Sequence, residues 1–436
     1  MSEKILRFLK KLIPAPLFRA GQPVYHYLLA VAGAVIYGYP SRRIKVVAVT
    51  GTKGKSSTVE ILNAILEEAG FKTALAGTVR FKIAEDNRPN LYKMTIPGRF
   101  FVQKFLRDAA NAKCDYAILE MTSEGAKQYR HKFIAFDALL FTNLSPEHIE
   151  SHGSYEKYVA AKLRIAKALS QSSKKRRVLV VNGDDKESPK FLAMPNVEKF
   201  TYSLTEAEPF VLGKEGTDIT YLGEKISTHL PGEFNISNIL AAITYSKTQD
   251  VYLEHIKKAL EKFQGTLGRV QKISLDETNP IRTLQDFRLI VDYAHTADSL
   301  EKLYRVFDDG KRICVLGNTG GGRDKWKRPE MGKIADTYCD HIILTNEDPY
   351  DEDPTSILEQ MTAGIKNTPH EIIMDRREAI AKAISKAEKG DTVLITGKGT
   401  DPYIMGPNGE KTLWSDSTVA REELEKFLLT KTVSAI

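Results

Sequence analysis

The chain has 436 residues, of which 42% are hydrophobic and 27% are charged, and its formal net charge is +7. This length exceeds one compact core and predicts two or three domains of an ordinary globular protein. The modest positive charge suits an enzyme that handles anionic substrates and gives no reason to expect nucleic acid as a partner. Three scattered cysteines without C-x-x-C spacing (Cys114, Cys314 and Cys339) predict a reducing compartment, no disulfide framework and no zinc site.

Residues 1–44 form a basic and apolar segment unlike the rest of the chain. Its first part has an apolar helical face opposite a basic one, formed by Ile5, Leu6, Phe8, Leu9, Leu12 and Ile13 against Lys4, Arg7, Lys10 and Lys11. The apolar run 24–39 lies between two prolines and is too short and too polar for a confident membrane span. No signal-peptide cleavage site follows it. Two interpretations stay open: helices packed on the first domain, or a basic amphipathic element resting on a membrane surface.

A glycine turn between an apolar strand (46–49) and a helix (57–69) predicts an ATP site. The turn reads Gly51-Thr52-Lys53-Gly54-Lys55-Ser56-Ser57. Its backbone N–H groups and the helix N-terminus bind phosphate oxygens, Lys55 reaches the terminal phosphates, and the Ser56 hydroxyl suits Mg²⁺. Val49 stands where the general phosphate-loop pattern has glycine, so the motif is a shorter variant.

Strands and helices alternate from residue 45 to the C-terminus. The alternation predicts an α/β fold with mainly parallel sheets, in which a central P-loop-type ATPase domain (45–268) precedes a C-terminal Rossmann-like α/β domain (269–436). A hinge is expected at 263–268. The predicted strands are 46–49, 116–119, 138–142, 178–181, 289–292, 312–316, 341–345, 371–374 and 392–396, and the further predicted helices are 98–112, 155–170, 235–245 and 253–263, with an irregular, partly β patch at 200–230.

Glu120 and His148 follow two of these strands, at the sheet edge where open α/β sheets place their ligands. Each residue alone is ambiguous, because a strand-end glutamate is commonly a surface charge and a loop histidine usually binds no metal. Beside a phosphate loop, they form a plausible oxygen and nitrogen shell for Mg²⁺.

Several ordered motifs then carry a specific resemblance. They are the loop Gly51–Ser56, Leu119-Glu120-Met121-Thr122-Ser123, Thr142-Asn143-Leu144-Ser145-Pro146-Glu147-His148, Tyr158-Val159-Ala160-Ala161-Lys162, Asn182-Gly183-Asp184-Asp185, Gly232–Ala242, Asp292-Tyr293-Ala294-His295-Thr296, Gly320–Pro329 and Gly397-Lys398-Gly399. From residue 45 onward the chain resembles the Mur ligase family, ATP-dependent amino-acid ligases of cell-wall precursor synthesis. Within that family it most resembles the MurE-type ligases, which add the third residue of the stem peptide.

The resemblance implies roles for matching residues. Lys55 contacts the β- and γ-phosphates; Ser56 and Glu120 hold one Mg²⁺ and His148 a second; Lys162 matches a carbamylated lysine near that metal. Without the resemblance, Lys162 would be a solvated helix charge. The nucleotide-side positions are Gly51, Thr52, Lys53, Gly54, Lys55, Ser56, Ser57, Asn235, Asn238, Arg269 and Asp292, and the substrate-side positions are Thr95, Thr122, Ser123, Arg130, His295, Arg323, Asp348, Tyr350, Gly397 and Asp401.

The implied chemistry makes an amide in water. ATP transfers its γ-phosphoryl group to a carboxylate, an amino-acid amine attacks the acyl phosphate, and phosphate leaves. Cations and aligned N–H donors stabilise the charge on the phosphoryl oxygens, and closure of two domains excludes water from the intermediate. The expected cofactors are ATP and Mg²⁺ at two sites.

The chain departs from the family pattern at the acceptor side. The uridine-diphosphate-binding N-terminal domain of the family needs far more residues than the segment before the first strand here. We therefore expect an acceptor that is lipid-linked or lacks UDP, with residues 1–39 near the bilayer. The family's acceptor motif has histidine after two hydroxyl residues, whereas Glu124 follows Thr122-Ser123.

The expected amino-acid pocket also differs. Diaminopimelate-adding ligases carry Asp-Asn-Pro-Arg, whose arginine clamps the distal carboxylate; this chain has Glu347-Asp348-Pro349-Tyr350. The family's Gly-Lys-Gly-His-Glu becomes Gly397-Lys398-Gly399-Thr400-Asp401. An acidic pocket built from Asp348 and Asp401 predicts lysine or ornithine in preference to diaminopimelate; alternatively, Asp348 only caps a turn.

The expected partners are therefore an acidic small-molecule or peptide acceptor, UDP- or lipid-linked, and an amino acid. A cytoplasmic monomer, peripheral at the inner membrane surface through residues 1–39, is the expected state. Two alternatives remain: a related ligase acting on another acid, such as a folylpolyglutamate or poly-amino-acid synthetase, and a nucleotide-regulated scaffold without catalysis. The Lys55, Glu120, His148 and Lys162 set argues against the scaffold.

Overall fold

The computed structural model describes residues 15–147, 149–322 and 325–434. The described helices are α1 (Ala15–Ile36), α2 (Lys55–Glu68), α3 (Arg99–Asn111), α4 (Ser123–Lys127), α5 (Ile149–His152), α6 (Tyr155–Ser170), α7 (Ser188–Leu192), α8 (Glu233–Lys247), α9 (Leu253–Lys262), α10 (Ala297–Val306), α11 (Lys327–Tyr338), α12 (Pro354–Thr362), α13 (Arg376–Lys386) and α14 (Asp416–Ser434). Short 3₁₀ helices span Pro40–Arg43, Leu204–Ala207, Pro280–Leu284 and Pro407–Gly409.

The described strands alternate with these helices, so the α/β fold class is confirmed. They are β1 (Lys45–Thr50), β2 (Thr73–Ala76), β3 (Arg80–Ile83), β4 (Asp86–Pro89), β5 (Tyr116–Glu120), β6 (Ala138–Phe141), β7 (Val178–Asn182), β8 (Glu198–Tyr202), β9 (Val211–Leu212), β10 (Thr217–Tyr221), β11 (Glu224–Thr228), β12 (Gln271–Lys272), β13 (Arg288–Val291), β14 (Arg312–Leu316), β15 (His341–Leu344), β16 (His370–Ile372), β17 (Thr392–Ile395), β18 (Tyr403–Met405) and β19 (Lys411–Leu413).

The described residues divide into two compact units, each assembled from several stretches of chain. The first draws on Met1–Ser145, Glu156–Ser203 and Ala241–Tyr252, and the second on Pro146–Tyr155, Leu204–Leu240 and Leu253–Ile436. The sequence-predicted domain boundary at residue 268 stays a prediction.

The first unit is built around an eight-stranded sheet in the order β4-β3-β2-β5-β1-β6-β7-β8. Strands β2, β5, β1, β6, β7 and β8 run parallel, whereas β3 and β4 pair antiparallel at one edge. Every residue of β5, β6 and β7 is buried, as expected for apolar parallel strands covered on both faces.

Helix α1 continues through Pro23 and packs on α3. Proline removes one backbone donor from the helix interior, so the carbonyl four residues earlier lacks its helical partner. Ala30 and Ala34 are buried on the packed side, while Val24, Leu28 and Val35 are more than half exposed. The described residues contain no helix that is both long and apolar enough to cross a bilayer. The predicted amphipathic face at residues 5–13 lies outside the described residues.

The second unit contains a six-stranded sheet in the order β12-β13-β17-β14-β15-β16, a three-stranded antiparallel sheet β11-β10-β9 and a β18–β19 hairpin. Strands β13 to β16 are parallel in the larger sheet, and β12 pairs antiparallel at its edge. The irregular patch expected at 200–230 is this small sheet with a 3₁₀ turn before it.

One expectation about the cysteines is wrong. Cys314 and Cys339 form a disulfide with a Cα–Cα separation of 6.1 Å, while Cys114 is free and buried. Cys314 lies inside β14 and Cys339 just after α11, the helix that returns the chain to the neighbouring strand. This βα crossover brings together two cysteines that are 25 positions apart, so a search for closely spaced pairs misses them.

Candidate functional site

The strand order of the first unit changes direction at β1. Its neighbours are β5 on one side and β6 on the other, both parallel to it. The carboxyl ends of these strands therefore meet at one edge, with the phosphate-loop motif after β1 and Glu120 at the end of β5. Ligands of open α/β sheets bind at such a point, because neighbouring connections leave on opposite faces and open a crevice.

Two positions of the loop require glycine, one because a side chain would collide with a neighbour and one because its φ is positive. A Cβ on Gly51 would lie 1.9 Å from the Thr142 Oγ1 atom. Gly54 adopts a left-handed φ of 81° where it begins α2. Asn143 holds the loop from the next strand end, because its backbone oxygen accepts from Thr52 N–H at 2.8 Å and its side-chain oxygen from Lys53 N–H at 2.9 Å. The result is a narrow cradle at a helix N-terminus, the geometry that binds phosphate.

The predicted metal residues Ser56 and Glu120 lie in contact. The Ser56 hydroxyl donates to the Glu120 Oε2 atom at 3.1 Å, and the Thr78 backbone N–H donates to the same oxygen at 2.8 Å. A hydroxyl and a carboxylate side by side are hard oxygen donors, so these residues fit Mg²⁺. Lys55 folds over the loop and donates to the carbonyls of Gly51 and Thr52 at 3.1 and 2.9 Å.

Lys162 is buried against the same loop. Its side chain is 1% exposed, its Nζ atom donates to the Gly51 carbonyl at 2.5 Å, and it lies 4.9 Å above the Tyr158 ring. The alternative of a solvated helix charge is therefore wrong. His148 lies outside the described residues, and the described residues contain no group of three or more His, Cys, Asp or Glu side chains arranged for a metal. A second metal site stays a prediction.

The predicted acceptor-side residues form a polar surface beside Glu120. Thr95 and Thr78 share a hydroxyl hydrogen bond of 2.9 Å, and the Thr122 hydroxyl begins α4 by accepting from Gly125 N–H at 3.0 Å. Ser123 is buried in the first turn of that helix. The structure thus brings these hydroxyls to the strand-end edge that carries Glu120, and their role toward the acceptor stays a prediction. Thr78 was not anticipated.

Arg130 is a buried cation beside this surface. It is 5% exposed and donates to the Ile96 carbonyl, to the Gln128 Oε1 atom at 2.8 Å and to the Met94 sulfur at 3.5 Å. Burial, together with repulsion from Arg99, lowers the pKa of Arg130 to about 10. Its buried Nε atom has no hydrogen-bond partner within the described residues. Such a group is suited to receive an anion.

In the second unit, the predicted adenine-side residues lie on the first turns of α8. The Asn235 amide donates to the Pro231 carbonyl at 2.8 Å, and the Asn238 amide donates to the Asn235 Oδ1 atom at 3.1 Å. Both are nearly buried. Their mutual bond fixes both amides.

The predicted ribose and phosphate residues lie near one another on the second unit. Asp292 accepts from the backbone N–H groups of Val270 and Ala294 at 2.7 and 2.6 Å, so its carboxylate orders the turn that follows Arg269. The Arg269 guanidinium stacks 4.3 Å above the Tyr293 ring. The ribose contact of Asp292 and the phosphate contact of Arg269 stay predictions.

His295 has a partner that the sequence did not suggest. Its Nε2 atom lies 3.2 Å from the Glu147 carboxylate, and its Nδ1 atom lies 2.7 Å from the Tyr293 carbonyl. Glu147 immediately precedes the predicted metal residue His148. The ion pair therefore connects Glu147, which belongs to the predicted metal motif, with His295, which is expected to contact substrate.

The expected acidic amino-acid pocket contains a buried cation between its two aspartates. The buried Lys398 ammonium donates to the Asp348 carboxylate at 2.9 Å and to the Tyr403 carbonyl at 2.6 Å, and Asp401 lies 3.5 Å away. Asp348 also accepts from Met405 N–H at 2.8 Å. The single Lys398 ammonium offsets one of the two aspartate charges, so the pair keeps one net negative charge.

Glu347 is the functional candidate that sequence reasoning missed. It is 3% exposed; its Oε1 atom accepts from the Thr319 hydroxyl at 2.7 Å, and its buried Oε2 atom has no partner in the described part of the chain. Burial, and then the nearby Asp348 charge, raise the pKa of Glu347. It follows a strand of the sheet, the same signal that identified Glu120.

The remaining predicted substrate residues are only partly described. Gly397 has a φ of 104°, and a Cβ there would lie 2.4 Å from the Glu347 Oε2 atom, so glycine leaves that oxygen its space. Tyr350 has a left-handed φ of 53° and packs against Gly321. Arg323 lies outside the described residues.

Comparison with known proteins identifies relatives for both halves of the chain. Residues 49–246 match the Mur ligase middle domain, and residues 278–399 match the Mur ligase glutamate ligase domain. A UDP-N-acetylmuramyl-tripeptide synthetase of Roseiflexus sp. (strain RS-1) is 36% identical over 443 residues, covering 95% of this chain and 85% of that protein. A UDP-N-acetylmuramoyl-L-alanyl-D-glutamate–2,6-diaminopimelate ligase of Clostridium tetani is 35% identical, covering 86% of this chain and 76% of the relative.

Solved structures show the same architecture. A UDP-N-acetylmuramoyl-L-alanyl-D-glutamate–2,6-diaminopimelate ligase aligns with a TM-score of 0.59 at 28% identity, over 88% of this chain and 78% of that one. The folylpolyglutamate synthase of Mycobacterium tuberculosis aligns with a TM-score of 0.68 at 16% identity, over 86% of this chain and 93% of that one. At that lower identity the likeness shows the fold alone.

Proposed function

The chain belongs to the Mur ligase family of ATP-dependent amide ligases, and from that premise we propose that it adds the third residue of a muramoyl stem peptide. The observation that carries the proposal is the Ser56–Glu120 contact at the head of the phosphate loop, with Lys162 buried against the same loop. The hydroxyl and the carboxylate would hold Mg²⁺ beside the phosphates, where the ion serves phosphoryl transfer as well as nucleotide binding.

The residues divide the chemistry as follows. The Gly51–Gly54 cradle and Lys55 hold the phosphates of ATP, while the hydroxyls of Thr95 and Thr122 orient the acceptor carboxylate and Arg130 binds another anionic group of the acceptor. Mg²⁺ supplies charge neutralisation on the phosphoryl oxygens, and Ser56 and Glu120 would hold it. Glu347 receives the incoming amino acid.

The amine must arrive close to the acyl phosphate and must lose protons as the amide forms. The acceptor carboxylate attacks the γ-phosphorus and ADP leaves; the amine then attacks the acyl carbon, and phosphate departs with the bonding electrons. The direct test is ADP release that requires both an acid and an amino acid. Release with neither substrate, or with the acid alone at the full rate, would refute ligation.

We propose that the Lys162 amine is carbamylated, so that a carboxylate-like group replaces an ammonium beside the second metal position. The amine attacks CO₂, forms a C–N bond and loses one proton. The buried position against the Gly51 carbonyl supports the assignment, because a modified side chain there points at the phosphate loop. A carbamate signal in ¹³C NMR after exchange with labelled bicarbonate, absent from Lys162→Gln, tests it. Identical spectra for the two proteins would rule it out.

We propose lysine or ornithine as the added amino acid rather than diaminopimelate. Tyr350 replaces the arginine expected to hold a distal carboxylate, and the unpartnered oxygen of Glu347 offers a buried acceptor to an amine. Lys398 offsets only one of the two charges of Asp348 and Asp401, so one negative charge remains and favours an amine together with Glu347. ADP release with each amino acid in turn tests the assignment, and a lower KM for diaminopimelate than for lysine would reverse it.

We propose that residues 1–39 lie against an anionic membrane surface and that the acceptor is lipid-linked or free of UDP. No acidic residue occurs between Glu3 and Glu60, and Val24, Leu28 and Val35 form an exposed apolar stripe on α1 at helical spacing. Sedimentation with anionic vesicles tests the contact, with neutral vesicles as the control. Equal sedimentation of the intact chain and of a chain lacking residues 1–39 would refute it.

Acceptor screening separates this function from that of a related ligase. The panel comprises UDP-linked and UDP-free muramoyl dipeptides and a folate glutamate, each with the same amino acid. Turnover with the folate glutamate alone would replace the proposal with a folylpolyglutamate synthetase activity.

A further inference from the structure

A cluster of cationic groups joins the N-terminal helix α1 to the acceptor surface. His26 of α1, Arg99 at the start of α3, and Arg130 after α4 lie around the side chain of Gln128. All of these residues belong to the first unit. Nothing in the phosphate loop or in the amino-acid residues of the second unit accounts for this cluster.

The cluster is connected to the metal-side residues through a short series of contacts. Glu120 binds Thr78 N–H, and the Thr78 hydroxyl bonds to the Thr95 hydroxyl. The neighbouring Ile96 carbonyl accepts from Arg130. A ligand whose carboxylate lies beside Glu120 and Thr95 therefore extends toward Arg130 along a continuous polar surface.

Two guanidinium groups share one neutral acceptor at the far end of this surface. The Gln128 Oε1 atom accepts from Arg130 at 2.8 Å and lies 3.5 Å from Arg99, whose Nε atom donates to the Gln128 carbonyl at 2.8 Å. A neutral amide oxygen compensates two positive charges poorly. The buried Nε atom of Arg130 has no partner at all among the described residues, which leaves a donor available to a ligand.

The surrounding charges leave this end of the site positive. Glu124 is the acidic residue nearby; its Oε1 atom accepts from the Gln128 amide at 2.8 Å, and its buried Oε2 atom has no hydrogen-bond partner among the described residues. Burial lowers the pKa of both Arg99 and His26. A neutral His26 accepts from Arg99 through its Nδ1 atom and then carries its proton on Nε2. Two arginines and one glutamate sum to one positive charge, beside the unpartnered Nε donor of Arg130 and two guanidinium groups that share Gln128.

We propose that Arg99 and His26, together with Arg130, form a subsite for a phosphate group of the acceptor, remote from the carboxylate that is activated. The inference rests on the proposed ligase function and deepens it by assigning α1 to the acceptor site. A phosphate offers more oxygens than a carboxylate and can serve three donor groups together. A nucleotide diphosphate and a lipid diphosphate present the same chemistry, so the subsite accepts either, and the experiment distinguishes them.

The test compares three acceptors that share one muramoyl dipeptide: UDP-linked, polyprenyl-diphosphate-linked, and free of phosphate. The wild-type protein should show a KM at least tenfold lower for one or both phosphate-bearing acceptors. Arg99→Gln should raise that KM by about 10- to 100-fold, the range for one lost charged hydrogen bond, and leave the KM for the phosphate-free acceptor and for ATP unchanged. His26→Gln should act in the same direction by a smaller factor.

Two matched variants control for charge and for helix docking. Lys104→Gln removes one positive charge from the same helix, α3, at an exposed ion pair with Asp108, and should change no KM. Arg107→Gln removes contacts from α3 to the Tyr37 carbonyl that do not involve the subsite. Arg107→Gln should lower the melting temperature, and it should leave the ratios between the KM values of the three acceptors unchanged. Arg99→Lys should restore part of the phosphate preference.

Binding measured without turnover keeps the two proposals distinguishable. Calorimetric titration of the UDP-linked dipeptide, with ADP filling the phosphate loop, should show at least tenfold weaker binding to Arg99→Gln than to the wild type. Equal affinities, or an equal loss for the phosphate-free acceptor, would overturn the subsite even if ligation proceeds. Absence of amino-acid-dependent ADP release with intact phosphate-selective binding would instead overturn the ligase function.

Discussion

Replacing Arg130 with methionine should weaken acceptor binding without unfolding the protein. The guanidinium is buried without a carboxylate partner in the described chain, and its pKa falls to about 10. That is roughly 2.5 pH units below the usual value, equivalent to about 3 kcal/mol of cost for keeping the charged form in the unliganded protein. Methionine fills a similar volume without this cost.

The stability of the variant follows from two opposing contributions. Loss of the charge relieves about 3 kcal/mol, whereas the abandoned Ile96 carbonyl and Gln128 amide cost about 1–3 kcal/mol. The net change in the free energy of unfolding should therefore lie within about 2 kcal/mol of zero. Because the folded pKa is lowered but still far above neutral, the cost is fully present at neutral pH and is relieved only as pH rises past about 10. The difference between the two proteins should thus be flat from pH 6 to 9.

The loss of function should be much larger than this change in stability. An anion paired with Arg130 contributes a charged hydrogen bond, so KM for the acceptor should rise about 10- to 100-fold. Steady-state ADP release, urea unfolding and KM for ATP are measured on Arg130→Met and on the exposed control Arg88→Met. Destabilisation by more than about 4 kcal/mol with an unchanged acceptor KM would refute the reasoning, because it would make Arg130 a structural cation.

Three further variants probe other parts of the protein. Burial raises the pKa of Glu347, so ionisation of its carboxyl group opposes folding increasingly as pH rises above 4.5. Glu347→Gln should therefore raise the melting temperature more at pH 8 than at pH 5. The same substitution should raise KM for the amino acid about tenfold, because one charged contact is lost. Gly51→Ala places a Cβ 1.9 Å from the Thr142 hydroxyl and should raise KM for ATP at least roughly tenfold by displacing the loop, with partial recovery in the double variant carrying Thr142→Ala. Lys398→Met strands the buried Asp348 carboxylate and should lower the free energy of unfolding by about 3–5 kcal/mol, most of which Asp348→Asn should restore.

Each of these variants has a result that would contradict its premise. A pH-independent melting difference would remove the charge argument for Glu347. An unchanged KM for ATP in Gly51→Ala would show that the loop moves freely around its neighbour. A loss below about 1 kcal/mol for Lys398→Met would mean that solvent reaches the ion pair.

The sequence predicted the ATP side of the site because its signals are local. The phosphate loop and Glu120 each follow a strand directly, and parallel strands bring such positions to one edge regardless of the sequence between them. The Ser56–Glu120 contact follows from this rule alone. The burial of Lys162 does not follow from this rule, because a lysine on an amphipathic helix gives the same sequence pattern whether its ammonium group contacts water or a loop.

The sequence could not show which charged side chains neutralise one another. Asp348 and Lys398 are 50 positions apart, and their pairing depends on two strand ends of one sheet that only the fold brings together. The course of α1 through Pro23 was hidden for a related reason, because packing on α3 outweighs the usual effect of proline. The disulfide between Cys314 and Cys339 likewise required the three-dimensional path of a βα crossover.

The division of the chain into two units has a consequence for how this activity can change over time. The side chains expected to choose the acid (Thr95 to Arg130) belong to the first unit, and those expected to choose the amine (Glu347 to Asp401) belong to the second. Each set sits on connections after strands of its own sheet, where substitutions disturb packing least. Mutation can therefore alter one substrate preference while the other is inherited intact. Because each unit is assembled from three stretches of chain, new pairings of acid and amine become accessible through point substitutions in the connections of one unit and not through exchange of one continuous segment.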